Sequence, residues 1–479
     1  MTRSRVVIVG AGMAGARLAE EIADRDPDGR IHLTLIGGEP HSPYNRVLLT
    51  GVLAGEVGYR DIVMGDPQWY AERGYGLLLG TAVTRIDRTA RRVYTDDGRS
   101  ADYDTLVLAL GADPVLPEIE GLRTPDGRLR RGVFALRTLD DCHALDAAIG
   151  GGGRAAVVGG GILGLETARG LAQRGMRATV VHRSSRIMDR QLDAGAAEIL
   201  ARTYLDLGVT VLTDARVSSL TGWSRVDGLN LADGRWVPAN MVVVSCGVRP
   251  RDAIGATFGL EVDHGIVVGD DLATTDPRIF AIGDCARHRG FSSGLLDPAW
   301  EQARVLAARL TGAEPQARYT GSALVTKLKA HDVELTTLGQ TDAHDRAEVV
   351  LFSDPTRRTY LKLVIDGGRI TGAILLGDGK ITGSVTQFFD GGAQVPSDPK
   401  SLLFGTAPAA AAVEESDEAI ICRCNLVTRA EINEAIVGGA RDVQAVTAAT
   451  RSGTGCGSCR GDVTRLLDDL PEPVALSAE

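Results

Sequence analysis

The stretch Arg5-Val-Val-Ile-Val9-Gly10-Ala-Gly12-Met-Ala-Gly15 decides the fold. Its first half is a short run of β-branched residues, the composition of a strand buried on both faces. Its second half reads G-x-G-x-x-G, after which Leu18, Glu21 and Ile22 continue at helical spacing. Strand, glycine turn and helix in that order make a dinucleotide-binding unit. Gly10 permits the tight turn, Gly12 lets a pyrophosphate approach the backbone, and Gly15 lets helix and strand pack closely. The helix N-terminus then faces the phosphates. A second strand is predicted over 31–36. Glu39 follows it, about where a carboxylate that binds a ribose belongs.

The same pattern returns further along. Ala155-Ala-Val-Val158 leads into Gly159-Gly-Gly161-Ile-Leu-Gly164, a helix through Glu166, Ala168 and Leu171, and a strand over 178–181. Two such units in one chain call for two dinucleotides, which is the requirement of flavin plus nicotinamide chemistry, FAD with NADH or NADPH. After the second unit the ribose carboxylate is missing. His182-Arg183 stands in its place, with Arg186 close by. A carboxylate there repels a 2′-phosphate and an arginine attracts one, which leans toward NADPH. The alternative is that Arg183 and Arg186 are surface charges, so the choice of nicotinamide stays open.

Composition sets the frame. The chain has 479 residues, enough for about three domains of ~150 residues each. It carries 59 glycines where an average usage of ~7% gives about 34. With only 18 prolines and no Gly-x-y period, the excess is not collagen. A net charge of −10 and no basic patch argue against nucleic acid. No apolar run approaches the ~20 residues of a membrane span. The first sixteen residues mimic a signal peptide, but a buried first strand running into its turn is the stronger reading, so a cytoplasmic location is expected.

Later the chain reads Asp276-Pro-Arg-Ile-Phe-Ala-Ile-Gly283-Asp284-Cys285. An acid at a strand's carboxyl end can bind a sugar-alcohol hydroxyl. Then comes Asp297-Pro-Ala-Trp300-Glu-Gln302, running on to Gly312. Asp297 suits an N-cap, Pro298 the first helical position and Gly312 the C-terminal cap. A helix start aimed at a flavin stabilises charge on the reduced ring, which makes Trp300 a candidate cofactor contact. An ordinary well-capped helix is the alternative.

With these motifs in place the chain resembles the two-dinucleotide-binding-domain flavoproteins of pyridine nucleotide-disulfide oxidoreductase fold. In particular it is similar to the flavoprotein part of assimilatory nitrite reductase large subunits and to electron-transfer subunits of assimilatory nitrate reductases. The matching segments are Pro43-Tyr-Asn-Arg46-Val-Leu-Leu-Thr50, Leu106-Val-Leu-Ala109-Leu-Gly111, Met188-Asp-Arg-Gln191-Leu-Asp193, Gly247-Val-Arg-Pro250, Gly283-Asp284-Cys285 and Thr326-Lys-Leu-Lys329. The resemblance implies an FAD domain split by the NAD(P)H domain. It implies that Arg46 and Asp284 contact FAD, with Ala109, Gly111, Gly247 and Gly283 in the cofactor-binding segments, and that Glu166 lies near the nicotinamide. Glu166 has a plainer alternative as a first-turn acid favoured by the helix dipole. Two departures stand out. Cys142, Cys246 and Cys285 have no near partner in sequence, so no flavin-side disulfide is expected and all three read as small buried hydrophobes. No cysteine follows Cys459, so no sirohaem half is expected either.

The remaining cysteines lie together: Cys422-Arg-Cys424 and Cys456-Gly-Ser-Cys459. Four thiolates hold zinc or an iron–sulfur cluster. C-x-C with a distant C-x-x-C resembles the bacterioferritin-associated-ferredoxin-like [2Fe-2S] domain. Helices are predicted over 427–435 and 442–449, and Gly453, Gly455 and Gly457 free backbone N–H groups to turn toward sulfur. The small and acidic residues over 405–418 read as a linker, with 409–412 a possible helical piece, which leaves room for a mobile module.

The expected fold class is α/β. It has two Rossmann-like dinucleotide-binding domains, an α+β interface domain and a small helical [2Fe-2S] domain. FAD binding is assigned to 1–115 and 248–314, NAD(P)H binding to 116–247, the interface domain to 315–400, the linker to 401–418 and the cluster module to 419–471. The expected function is electron transfer from NAD(P)H through FAD and [2Fe-2S] to a partner, by resemblance the catalytic subunit of assimilatory nitrate reductase. Supply to nitrite reductase or to a ferredoxin- or rubredoxin-like acceptor is the alternative within the class. A redox-sensing binding module without turnover is the alternative outside it.

Overall fold

The β-branched run of the first unit becomes the middle strand of a five-stranded parallel sheet. Ser4–Val9 lies between Ile31–Ile36 and Thr105–Leu108, with Gly76–Leu78 on one edge and Ile279–Ala281 on the other. Ile279 pairs with Leu106, so the chain leaves this sheet and returns to it much later. These strands are apolar on both faces, and Val6, Val7, Ile8, Leu33, Leu35 and Leu106 are all buried. The computed structural model describes residues 3–150, 152–404 and 416–468.

The second unit repeats the first. Arg154–Val158 lies between Arg177–Val181 and Met241–Val244, flanked by Val209–Leu212 and Val133–Ala135, again all parallel. Each sheet is accompanied by a three-stranded antiparallel meander, Val83–Asp87, Arg92–Thr95 and Ser100–Asp102 in one case and Val217–Thr221, Gly228–Leu231 and Trp236–Pro238 in the other. The chain crosses between the two halves through the antiparallel pair Ala112–Pro114 and Val248–Pro250.

The helices after the two glycine turns, Met13–Arg25 and Ile162–Gln173, start alike. Their N-caps are Gly12 (φ −85°, ψ −172°) and Gly161 (φ −83°, ψ −178°), and neither is capped by a side chain. The first helical N–H groups therefore remain available to a ligand. The helix expected to begin at Asp297 begins earlier. It spans Leu296–Thr311 with Leu295 as N-cap, which puts Asp297 inside the first turn. Pro298 is tolerated there because first-turn N–H groups have no intrahelical acceptor. Gly312, at φ +77°, ends the helix.

Two compact units emerge, Met1–Leu324 with Ala330–Asp332, and Val325–Lys329 with Val333–Glu479. The second unit holds a five-stranded sheet in the order Val325–Ala330, Val333–Gly339, Arg369–Leu376, Thr359–Asp366, Glu348–Asp354. Helix Gly379–Gly391 buries Ile381, Val385 and Phe388 in its core, where Leu402 and Leu403 of helix Lys400–Leu403 join them. The linker drawn from residue 401 thus starts too early, because Leu402 and Leu403 are core residues. The predicted helical piece over 409–412 lies outside the described residues.

The cysteine module follows with strands Ile420–Cys422 and Val427–Thr428 and helices Arg429–Val437, Val443–Thr450 and Arg460–Asp468. Two of these helices start later than predicted because Thr428 and Asp442 are caps, not helical residues. Thr428 and Glu431 form a capping box, and the Asp442 carboxylate accepts from the Ala445 N–H at 2.8 Å. The third helix escaped prediction: its inward face is only Val463 and Leu466, among charged neighbours. In this structure the module contacts the preceding helix Gly379–Gly391. Gln387 Nε2 donates to the Ile420 carbonyl at 2.8 Å, and Arg423 pairs with Asp390. Among the described residues no helix is long and apolar enough to cross a membrane.

One surface network makes a pH prediction. Arg289 and His288 both bond to Asp270, at 2.8 and 2.9 Å, and hold its carboxyl down at about 2. A depressed carboxylate stabilises the fold above its unfolded value of ~3.9, and that contribution disappears as pH falls through the folded value. The stability difference between wild type and Asp270→Asn is therefore expected to be constant at neutral pH and to shrink between about pH 4 and pH 2. Urea unfolding at stepped pH checks this.

Candidate functional site

The glycine turn, the strand ends and the Arg46 segment converge on a cleft of about 390 Å³ in the first unit. Gly10, Gly12, Glu39, Arg46, Ala109, Gly111, Gly283 and Asp284 all line it. Gly15 does not line it; it packs beneath, where an added Cβ would stand 2.0 Å from the Gly10 carbonyl oxygen. Gly12 faces open space apart from the tip of Arg46, 3.8 Å from where its Cβ would be.

Charged side chains cross this cleft. Asn45 caps the short turn Arg46–Leu48 by accepting from the Val47 N–H, which sets the direction of Arg46. Arg46 pairs with Glu39 and also donates to the Arg137 carbonyl at 3.3 Å. The Tyr44 hydroxyl donates to Glu39 at 2.7 Å and accepts from the Leu139 N–H at 2.9 Å. Burial keeps that phenol well above its ordinary pKa, so Tyr44 stays a neutral donor. Arg137 pairs with Asp284 at 2.7 Å, and Gln302 accepts from the Gly283 N–H at 2.8 Å. Sequence reading missed Tyr44, Arg137 and Gln302. Tyr44 sat inside a segment already singled out, whereas Arg137 reaches Asp284 across 147 positions with no local signal. Trp300 is corrected: it is 1% exposed and stacks under Arg17, whose guanidinium carbon lies 5.0 Å from the ring centre. It serves the packing of two helices and does not line the cleft.

At the second turn, an added Cβ on Gly159 would stand 2.0 Å from the Ser245 carbonyl oxygen, and one on Gly164 would stand 2.0 Å from the Gly159 carbonyl oxygen. Gly161 has nothing within 4 Å, and Gly247 is likewise open, at φ +95°. The arrangement of His182, Arg183 and Arg186 differs from expectation. His182 is buried, turns inward and accepts from the Gly160 N–H on Nδ1 at 3.0 Å. Burial lowers its pKa, so the ring is neutral and braces the turn instead of reaching a ribose. Arg186 donates to the carbonyls of Leu192 and Asp189, at 2.9 and 3.3 Å, and so ties its own loop. Arg183 remains exposed.

Glu166 is buried, not in the first helical turn, and accepts from Thr50 Oγ1 at 3.0 Å. Helices Leu49–Ala54 and Ile162–Gln173 approach closely at Gly170, whose Cβ would lie 3.4 Å from that of Ala54. The dipole explanation for Glu166 therefore falls away. Of the scattered cysteines, Cys285 and Cys142 are buried, and burial pushes their thiols up to about 12 and about 11. Cys246 is exposed, against expectation, because it lies just past the buried strand end, beside the second turn.

In the second unit the four clustered cysteines meet. Cys424 Sγ lies 3.9 Å from both Cys422 Sγ and Cys456 Sγ, and Cys459, also buried, lies near Cys422. Hydrogen bonds from Cys424 hold the Cys422 and Cys456 thiols far below their ordinary value, with Cys459 and Ser458 adding to the effect. Asn425 Nδ2 approaches Cys422 Sγ at 3.7 Å, and the Gly453 N–H, at φ +80°, also points to Cys422. Four sulfurs with N–H donors aimed at them suit an iron–sulfur cluster, whose thiolates want such donors.

Comparison with known proteins agrees with this geometry. The pyridine nucleotide-disulphide oxidoreductase family matches residues 4–306. The chain belongs to that family. The BFD-like [2Fe-2S] binding domain matches residues 420–469 of this oxidoreductase, and the rubredoxin NAD+ reductase C-terminal domain matches 325–387. It is 37% identical to the nitrite reductase [NAD(P)H] of Bacillus subtilis, over 98% of this chain and 58% of that one. It is 32% identical to the assimilatory nitrate reductase electron transfer subunit of the same organism, over 98% of this chain and 60% of that one. The chain thus spans about three-fifths of the length of these two relatives. The ferredoxin reductase of the CYP199A2 system from Rhodopseudomonas palustris superposes with a TM-score of 0.75 at 26% identity, covering 85% of this chain and all of that one. The protein is a flavoprotein oxidoreductase whose cofactors are FAD, a nicotinamide nucleotide and a [2Fe-2S] cluster. The open space over Gly12 and Gly161 and the four-sulfur donor set fit those groups.

Proposed function

We propose that this oxidoreductase conducts electrons from NAD(P)H, over FAD and a [2Fe-2S] cluster, to the catalytic subunit of an assimilatory nitrate reductase in the cytoplasm. The four meeting sulfurs of Cys422, Cys424, Cys456 and Cys459 carry the reading, because a chain that only moved hydride would need no such set. A nicotinamide gives up two electrons as hydride and an iron–sulfur cluster takes one, and FAD supplies the conversion between them. The residues supply binding and position. Gly10, Gly12 and the following helix start leave N–H groups for the pyrophosphate of FAD. Arg46 and Arg137 bring cations to the same cleft, and Glu39 and Asp284 accept from sugar hydroxyls. Gly159, Gly161 and Gly164 do the same work for NAD(P)H, and exposed Arg183 favours a 2′-phosphate. Glu166 lies at the nicotinamide, held by Thr50.

That last contact is testable. Thr50→Val removes one buried hydrogen bond, worth about 1 kcal/mol. Flavin bleaching by NAD(P)H in stopped flow is expected to slow about fivefold, since ~1.4 kcal/mol is tenfold, with KM little changed and Thr50→Ser restoring the rate. Unchanged bleaching in Thr50→Val would remove Thr50 from the reaction.

The nitrate reductase assignment draws on the relative of that name. Nitrite reductase is the second reading, favoured by the 37% identical relative that bears that name. Mixing the holoprotein with each purified enzyme and its oxyanion separates the two: NAD(P)H oxidation that depends on nitrate reductase and nitrate is expected. Dependence on nitrite reductase alone would reverse the assignment. Failure to reduce ferricyanide with NAD(P)H would instead favour a redox sensor without turnover.

A further inference from the structure

Arg423 stands between two of the cluster cysteines, Cys422 and Cys424. Its side chain is largely shielded from solvent. It pairs with Asp390, from the interface-domain helix Gly379–Gly391, and the two side chains are 22% and 12% exposed. On the same helix, one turn earlier, Gln387 holds the Ile420 carbonyl at 2.8 Å, two residues before Cys422. The C-x-C strand is therefore fastened to a helix from another domain at two points. Charges this sheltered are screened little by salt.

We propose that Asp390 and Arg423 form a built-in electrostatic setting for the reduction potential of the cluster, with Asp390 as the positioning residue and Arg423 as the charge beside the ligands. The proposal rests on the four-cysteine [2Fe-2S] reading. Reduction adds one electron, and so one unit of negative charge, to the cluster. The Arg423 cation favours that added charge, and Asp390 cancels part of the effect while fixing where the guanidinium sits.

A charge setting and a mere structural clasp predict different results. Removing Arg423 leaves Asp390 uncompensated, which opposes reduction. Removing the Asp390 charge leaves Arg423 uncompensated, which favours it. A loosened clasp would move both variants the same way. The test is EPR-monitored potentiometry of the holoprotein with redox mediators. Arg423→Gln is expected to lower the potential and Asp390→Asn to raise it, each by about threefold to tenfold in the reduction equilibrium, or about 30 to 60 mV at 59 mV per tenfold. The double variant is expected near wild type.

Shifts of the same sign in the two single variants, or none, with the cluster signal intact, would overturn the proposal. Should Arg423→Gln purify without cluster, Asp390→Asn decides alone: an upward shift supports the setting and no shift overturns it. A reduced wild type that gives no [2Fe-2S] signal overturns the cluster reading itself, and the setting with it.

Discussion

Cys456→Ser is expected to bring reduction of the physiological acceptor down to background while NAD(P)H still bleaches the flavin at the wild-type rate. The two halves of that result come from different places in the fold. The glycine turns that would hold FAD and NAD(P)H lie in the first compact unit, and Cys456 lies in the second. Cys456 occupies one end of the sulfur chain: its Sγ is 3.9 Å from Cys424, and its N–H donates to Cys424 Sγ at 3.5 Å. A serine oxygen is harder and less readily ionised than a thiolate, and it forfeits the soft ligand that iron–sulfur clusters require. Loss of the reduced-state EPR signal and of acceptor turnover together, with bleaching kept, is the expected pattern. Loss of bleaching as well would mean that the chain does not pass electrons in the order proposed. Retention of both would release Cys456 from the ligand set.

The second large effect concerns which glycines are needed to fold and which only to bind. Gly159 sits at φ +121°, and a Cβ there would meet the Ser245 carbonyl oxygen at 2.0 Å. A left-handed conformation costs an ordinary residue ~1–2 kcal/mol, and overpacking against backbone adds typically 1–3 kcal/mol. Gly159→Ala is therefore expected to destabilise the first unit by about 2 kcal/mol or more. Gly161 differs, with ordinary backbone angles and nothing within 4 Å. Gly161→Ala is expected to leave the melting temperature within about 1 °C of wild type, since surface changes are usually within ±0.5 kcal/mol. The methyl group then fills the space a pyrophosphate would use, and KM for NAD(P)H is expected to rise about tenfold or more, the cost of ~1.4 kcal/mol in binding. Calorimetry and steady-state kinetics on the two variants measure these separately. Equal effects of both variants on stability would show that the turn is only structural.

The two glycine turns, the carboxylate after the first, the return at Gly283-Asp284 and the C-x-C with C-x-x-C were all readable in order along the chain. Each is a local constraint. A tight turn needs glycine whatever surrounds it, and two cysteines one residue apart remain neighbours in any fold. The glycine excess also becomes intelligible: among the described residues 32 glycines lie at positive φ, so most serve turns and not the dinucleotide sites.

What the tertiary structure decided were meetings between distant residues. Thr50 finds Glu166 across 116 positions and Arg137 finds Asp284 across 147. Arg423 finds Asp390 only because the cysteine module packs on a neighbouring helix. Two expectations failed for the same reason. His182 was placed at the ribose by its position after a strand, but burial turned it inward to the Gly160 N–H. Trp300 was placed at the flavin by its helix, but that helix presents it to Arg17. Spacing along a chain fixes which backbone groups are near one another. The direction of a side chain is fixed by what packs against it, and that is set by residues the local sequence does not contain.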